Sequence, residues 1–140
     1  MIELLPKLMR GVTAHEHNYL SRGKITLPQL WVLEHLSRHK GGCPMNILAR
    51  SLKISRPAAT GLIDRLIAQG LVRRGGDKAD RRVVQVAMTA RGKTILSNIW
   101  EQKRKTILKV FGQISAQERG QYIAILGKVV AQLTQPKGES

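Results

Sequence analysis

One stretch, Leu71 to Ala87, breaks a chain whose apolar residues otherwise recur at helical spacing. Leu71-Val72-Arg73-Arg74 and Val83-Val84-Gln85-Val86 are rich in β-branched residues. They flank Gly75-Gly76-Asp77-Lys78-Ala79-Asp80, so the spacing predicts a hairpin with a loop slightly longer than the tightest turns. One hairpin set among helices limits the chain to a mainly α fold with a small β element.

The helical segments carry their own punctuation. From Met1 to about Leu20, Leu4, Leu5, Leu8, Met9 and Val12 fall at helical spacing, with Pro6 in the first turns and Gly23 as a break. Thr26-Leu27-Pro28-Gln29 reads as a helix start with a capping box. Leu30, Trp31, Val32, Leu33 and Leu36 supply a wide apolar face, and Gly41-Gly42 ends it. Pro44 then starts a short helix through Ile47, Leu48 and Leu52. Ser55-Arg56-Pro57 opens another, with Ser55 as cap and an apolar stripe of Leu62, Ile63, Leu66 and Ile67. Gly70 follows where a left-handed helix end wants glycine. Thr89 caps a long helix over roughly 90–112, striped by Leu96, Trp100, Ile107 and Phe111. Ser115-Ala116-Gln117-Glu118 is a capping box for a last helix, with Tyr122, Leu126, Val129, Val130 and Leu133 along it.

Two helices joined by a tight break and followed by a hairpin describe a winged helix-turn-helix, expected here over residues 25–88. The terminal segments, 1–22 and 89–134, carry apolar stripes that this small unit cannot cover. A second copy of the chain is the simplest cover, so a homodimer built on these helices is expected.

Charge follows the same plan. The chain has 24 Lys and Arg against 9 Asp and Glu, a formal net charge of +15. Such an excess suits a polyanionic partner, nucleic acid before an anionic membrane surface. The hairpin alone carries Arg73, Arg74, Lys78, Arg81 and Arg82 within ten residues. Arginine at a hairpin tip suits the minor groove, and the backbone N–H groups at the Ser55 helix start suit a phosphate.

Other classes fall away. A single cysteine, Cys43, excludes an intrachain disulfide and a multi-cysteine metal site. No apolar run approaches the roughly 20 residues of a membrane helix, and the N-terminus lacks the plan of a secretory signal. Cytoplasm is the expected compartment. Five aromatic residues are few for stacking single-stranded bases. No nucleophile elbow, phosphate-binding loop or dinucleotide-binding glycine motif is present, so neither an enzyme nor a cofactor is expected.

Leu27-Pro28-Gln29, the run Ile54 to Leu66, Gly70-Leu71-Val72, Asp77-Lys78-Ala79-Asp80-Arg81-Arg82 and Met88-Thr89-Ala90-Arg91-Gly92 together resemble the MarR family of bacterial transcriptional regulators. The resemblance spans nearly the whole chain. It implies a dimeric winged helix-turn-helix, usually a repressor, on a pseudo-palindromic operator, often released by a small aromatic ligand, by oxidation or by metal. Carried over, Ser55, Arg56, Thr60 and Arg65 fall on recognition-helix positions. Asp80 matches the wing acid that orients a neighbouring arginine. Arg81 and Arg82 match the wing-tip arginines, Arg82 being the minor-groove candidate. Ala58, Ala59 and Gly61 stand where relatives carry larger side chains. Small side chains make no bidentate base contact, which shifts readout toward the wing and keeps a sequence-nonspecific, nucleoid-type binder as the alternative. A winged module used only for protein contact would predict a neutral wing, against Arg81-Arg82.

The remaining candidates have plainer readings. His35 and His39 share a helix face at a metal-compatible spacing. The long helix supplies no further histidine, so no metal site is assigned. Cys43 beside Pro44 reads as a packed cysteine rather than a redox sensor. Trp31 and Trp100 read as core or interface rather than as the lining of an effector pocket. Lys103-Arg104-Lys105 reads as a solvated face.

Overall fold

The structure is a computed structural model, and it describes residues 3–8, 10–11, 25–76, 79–80 and 82–134. In chain order the elements are α1 (Leu27–Ser37), β1 (Cys43–Pro44), α2 (Met45–Ser51), α3 (Arg56–Ala68), β2 (Val72–Gly76), β3 (Val84–Met88), α4 (Ala90–Phe111) and α5 (Ala116–Thr134). Residues 4–8 and 10–11 are also helical. The rest of the helix expected as far as Leu20 lies outside the described residues. The chain divides into two compact units, Met1–Lys103 and Arg104–Ser140.

The first unit holds the core. Leu30, Val32, Leu33 and Leu36 of α1, Leu48 of α2, Ile63 and Leu66 of α3, Val86 of β3 and Leu96 of α4 are all buried in one cluster. Trp31, expected on that apolar face, instead points outward and is 50% exposed. The buried positions Gln29, Leu30, Val32, Leu33 and Leu36 share one side of the helix, and at about 100° per residue position 31 falls opposite their centre. The capping box of α1 forms as expected. The Thr26 backbone N–H donates to Gln29 Oε1 at 2.9 Å, and the Gln29 N–H donates to Thr26 Oγ1 at 3.4 Å. This pairing lets a glutamine be buried at the edge of the core.

The turn between α2 and α3 uses an unusual residue. Lys53 adopts a φ of 54°, and the Ile54 N–H reaches back to the Ala49 carbonyl at 3.1 Å. The end of α3 closes in the same way. Gly70 has a φ of 70°, and the Leu71 N–H donates to the Leu66 carbonyl at 2.9 Å. A left-handed residue costs glycine little and lysine more.

The hairpin is longer than its sequence suggested. Gly75 and Gly76 do not start the loop. They continue β2, pairing with Gln85 and Val84, and β3 runs on to Met88. Cys43-Pro44 is also more than a helix entry. It forms β1, whose Cys43 pairs with Val86, so the sheet order is β1-β3-β2 and all its pairings are antiparallel. Gly42 makes this possible. It has a φ of 120°, and a Cβ there would lie 2.9 Å from Gln85 Oε1 and 3.4 Å from the Val86 carbonyl.

Thr89 ties the hairpin to α4. Its N–H donates to the Leu71 carbonyl at 3.0 Å and its hydroxyl to the Gly70 carbonyl at 2.7 Å. The Gly92 N–H in turn donates to Thr89 Oγ1 at 3.1 Å. A Cβ on Gly92 would collide with the Leu71 carbonyl and approach Met88 Cγ at 3.2 Å. The Thr-x-x-Gly spacing is therefore a packing requirement, since only glycine lets α4 pass this close to the backbone.

The second unit has a different character. None of the residues of α5 is buried. Its internal order comes from local bonds and one aromatic contact. The Glu118 carboxylate accepts from the Ser115 N–H at 2.8 Å and its hydroxyl at 2.7 Å. The Phe111 and Tyr122 ring centroids lie 5.2 Å apart, and the Arg119 guanidinium donates to the Phe111 and Ile114 carbonyls at 2.9 and 2.8 Å.

Candidate nucleic-acid interface

Helix α3 turns one face to the core and leaves the other open. Ala59, Ile63 and Leu66 face inward. Ser55, Arg56, Ala58, Asp64 and Arg65 are exposed, and Thr60 and Gly61 are half-buried. A Cβ on Gly61 would meet nothing within 4 Å, so no packing demand explains this glycine. The result is a shallow helical surface, low at Ala58 and Gly61 and cationic at Arg56 and Arg65.

The helix start offers an anion less than expected. Ser55 caps it by accepting the Ala58 N–H at 3.2 Å, and Pro57 has no N–H. Two of the first-turn donors that a phosphate would use are thus taken or missing.

The two arginines of β2 are adjacent, so they point to opposite faces of the sheet. Arg74 leans toward α3, where its Nη2 donates to Asp64 Oδ1 at 2.6 Å. Both partners remain largely solvated, so the pair contributes about 0.2–1 kcal/mol and acts mainly to position the wing against the helix. The sequence marked Arg74 only as one of the wing's DNA-binding cations and did not reveal Asp64 as its partner. No local spacing signals that pair, because it joins a helix to a strand. Arg73 takes the other face and runs along the strand, its Nη1 lying 3.9 Å from where a Cβ on Gly75 would be.

At the far end of the wing, Asp80 accepts the Arg82 N–H on Oδ1 at 2.9 Å, and the Val83 N–H donates to the Asp80 carbonyl at 3.1 Å. Asp80 thus fixes the turn beneath Arg82 through the main chain, as aspartate does in an Asx turn. Arg82 is exposed beyond it. Lys78 and Arg81, also expected at this tip, lie outside the described residues.

Trp100 is exposed along its ring, and its indole N–H donates to Glu34 Oε1 at 3.4 Å. Lys103 Nζ lies 3.7 Å from the same oxygen. Cys43 is fully buried, and desolvation pushes its thiol pKa up. Burial holds the His35 imidazole below its ordinary range, and the neighbouring His39 and Arg38 add to that shift.

A short second helix, an outward-facing third helix and a strand-loop-strand arm closing on the core define a winged helix-turn-helix. The MarR family profile matches residues 24–83, the stretch that holds this unit up to Arg82. YfiV of Bacillus subtilis, an uncharacterised HTH-type transcriptional regulator, is 30% identical over 95 residues, which are 68% of this chain and 59% of YfiV. The chain therefore matches about three-fifths of that relative's length. A MarR family protein from Bacillus stearothermophilus superposes with a TM-score of 0.85 at 23% identity, over 95% of this chain and 92% of that one. The MepR–DNA complex of Staphylococcus aureus gives 0.78 at 22% identity, over 96% and 100% of the two chains. Residues 24–83 thus match the MarR family, and the chain shares the fold of a solved MarR family protein.

Proposed function

We propose that this protein is a cytoplasmic transcriptional regulator that binds double-stranded DNA as a homodimer, acting as a repressor on a pseudo-palindromic operator. The observation that carries the reading is the joint placement of an outward-facing α3 and an arginine-bearing wing, coupled by the Arg74–Asp64 pair. In this reading α3 of each protomer enters a major groove, with Ser55, Arg56, Thr60 and Arg65 on its DNA side. The wings reach the flanking minor grooves through Arg82, together with Arg81, while Arg73 and Lys78 meet phosphates. Asp80 is a positioning residue for Arg82. The two-fold axis sets half-sites about one helical turn apart, roughly 10–10.5 base pairs. The solved MepR structure, a fold neighbour captured on DNA, supports the choice of ligand.

The dimer is supported by apolar surface that stays exposed among the described residues. Leu4, Leu5 and Leu8 near the N-terminus and Ile123, Leu126, Val129, Val130 and Leu133 of α5 are all exposed. Stripes of this kind need a partner, and cyclic dimers are the commonest solution.

The test is a double substitution, Arg81→Ala with Arg82→Ala. Affinity for an operator duplex falls at least tenfold, about 1.4 kcal/mol, while sedimentation still shows a dimer. Unchanged affinity would remove the wing from the interface.

A further inference from the structure

Beside the root of the wing, three side chains with metal-binding chemistry come together. One ring nitrogen each from His35 and His39 and the Sγ of Cys43 all lie within 4.8 Å of one another. We propose that they form a zinc site of two imidazoles and one thiolate, its fourth position left to water.

The geometry suits this ion. With Zn–N of about 2.0–2.1 Å and Zn–S of about 2.3 Å, the N···S edge of a tetrahedral site spans about 3.5 Å. His35 Nε2 lies 3.6 Å from Cys43 Sγ. A thiol–imidazole hydrogen bond has a similar length, and a metal site differs from it by the third donor, which His39 supplies within 4.8 Å. The His39 ring stacks on His35 with centroids 4.4 Å apart. His39 Nδ1 lies 2.9 Å from the His35 carbonyl oxygen. A carbonyl only accepts, so Nδ1 carries the proton and Nε2 keeps its lone pair. Fixing the tautomer through the distal nitrogen is how proteins orient histidine ligands.

The backbone explains the convergence. His35 belongs to α1, while His39 follows its end, where the His39 N–H donates to the Leu36 carbonyl at 3.1 Å. Gly41 and Gly42, with φ of 98° and 120°, then turn the chain back. That turn delivers Cys43 to His35 and into register with Val86 of β3. His39 is exposed and His35 half-buried, so ions and water can reach the group from the His39 side. The donor set, one soft sulfur and two imidazoles, favours zinc over the hard cations that prefer carboxylates and carbonyls. On binding, Cys43 releases its thiol proton to solvent and the metal takes its place.

The experiment uses the full-length reduced protein, freed of metal by a chelator, with cobalt(II) as a spectroscopic probe and zinc as competitor. The expected result is one cobalt per chain, a thiolate-to-cobalt charge-transfer band in the near ultraviolet, and displacement by zinc. Cys43→Ser abolishes the band. His39→Asn, at an exposed position that leaves folding intact, weakens zinc binding at least tenfold. His15→Asn with His17→Asn, the chain's other two histidines, which lie outside the described residues, leaves it unchanged. The proposal fails if no thiolate band appears, if His39→Asn binds zinc as tightly as the natural chain, or if the His15/His17 variant is the one that loses binding. None of these outcomes depends on DNA, so the site and the regulator reading stand or fall separately.

Discussion

The stretch from Ile25 to Ile99 and the unit from Arg104 onward use the same amphipathic helical code with opposite results. In the first, stripes from four helices meet a three-stranded sheet, and Leu30, Leu33, Ile63 and Leu66 are almost wholly removed from water. In the second, Leu126 is 45% exposed and Leu133 79% exposed, although their spacing is as regular. The difference is one of available partners. A short stretch of chain can close a core when helices and a sheet face one another. Among the described residues, the two consecutive helices of the second unit leave apolar side chains exposed. A hydrophobic stripe thus specifies that burial will occur, without specifying in which chain.

The contrast can be broken most forcefully at Ile63. Truncating it to Ala leaves a cavity in a sealed core and costs roughly 2–5 kcal/mol in urea unfolding. Paired substitution of Leu126→Asp and Val130→Asp acts on the other region. It weakens self-association at least tenfold in sedimentation and leaves the near-ultraviolet signature of the winged unit intact. Loss of the winged fold in that variant would mean the two regions are one cooperative unit.

A smaller effect is expected at Gly61. Its surroundings are open, so Gly61→Ala stabilises α3 by about 1 kcal/mol in thermal or urea unfolding. If DNA affinity falls in the same variant, the glycine serves close approach of the duplex.

The smallest effect is electrostatic, at the cap of α5. The Ser115 hydroxyl and then its N–H hold the Glu118 carboxyl below its usual range. A depressed folded-state value means the stabilisation is present above the ordinary glutamate pKa and is lost as pH falls through the folded one. A carboxyl NMR titration should find Glu118 below the ordinary glutamate range, and Ser115→Ala, which removes the hydroxyl but keeps the N–H, should bring it part of the way back.

What could be read in the sequence was what neighbours in the chain decide. Both capping boxes, the Ser55 cap, the glycine at the end of α3 and the hairpin depend on residues a few positions apart, and all are formed. Features set by distant contacts were not legible. Cys43-Pro44 becomes a strand only because β3 offers an edge. Gly92 must be glycine only because the Leu71 carbonyl passes beside it. Arg74 is tied to α3 only because Asp64 lies across from it. The candidate interface shows the same division. Its residue types and wing position were visible in advance, whereas the internal pairing of its charges needed the folded chain.

The central claim, sequence-specific recognition by α3 and the wing, is tested most directly by fluorescence anisotropy. The duplex from the gene's own upstream region is compared with a scrambled duplex of equal length across a salt series. A specific regulator prefers the native duplex by roughly a thousandfold or more and keeps that preference as salt rises. Equal binding to both, with affinity falling in parallel as salt rises, would contradict the claim and mark the protein as a nonspecific DNA binder.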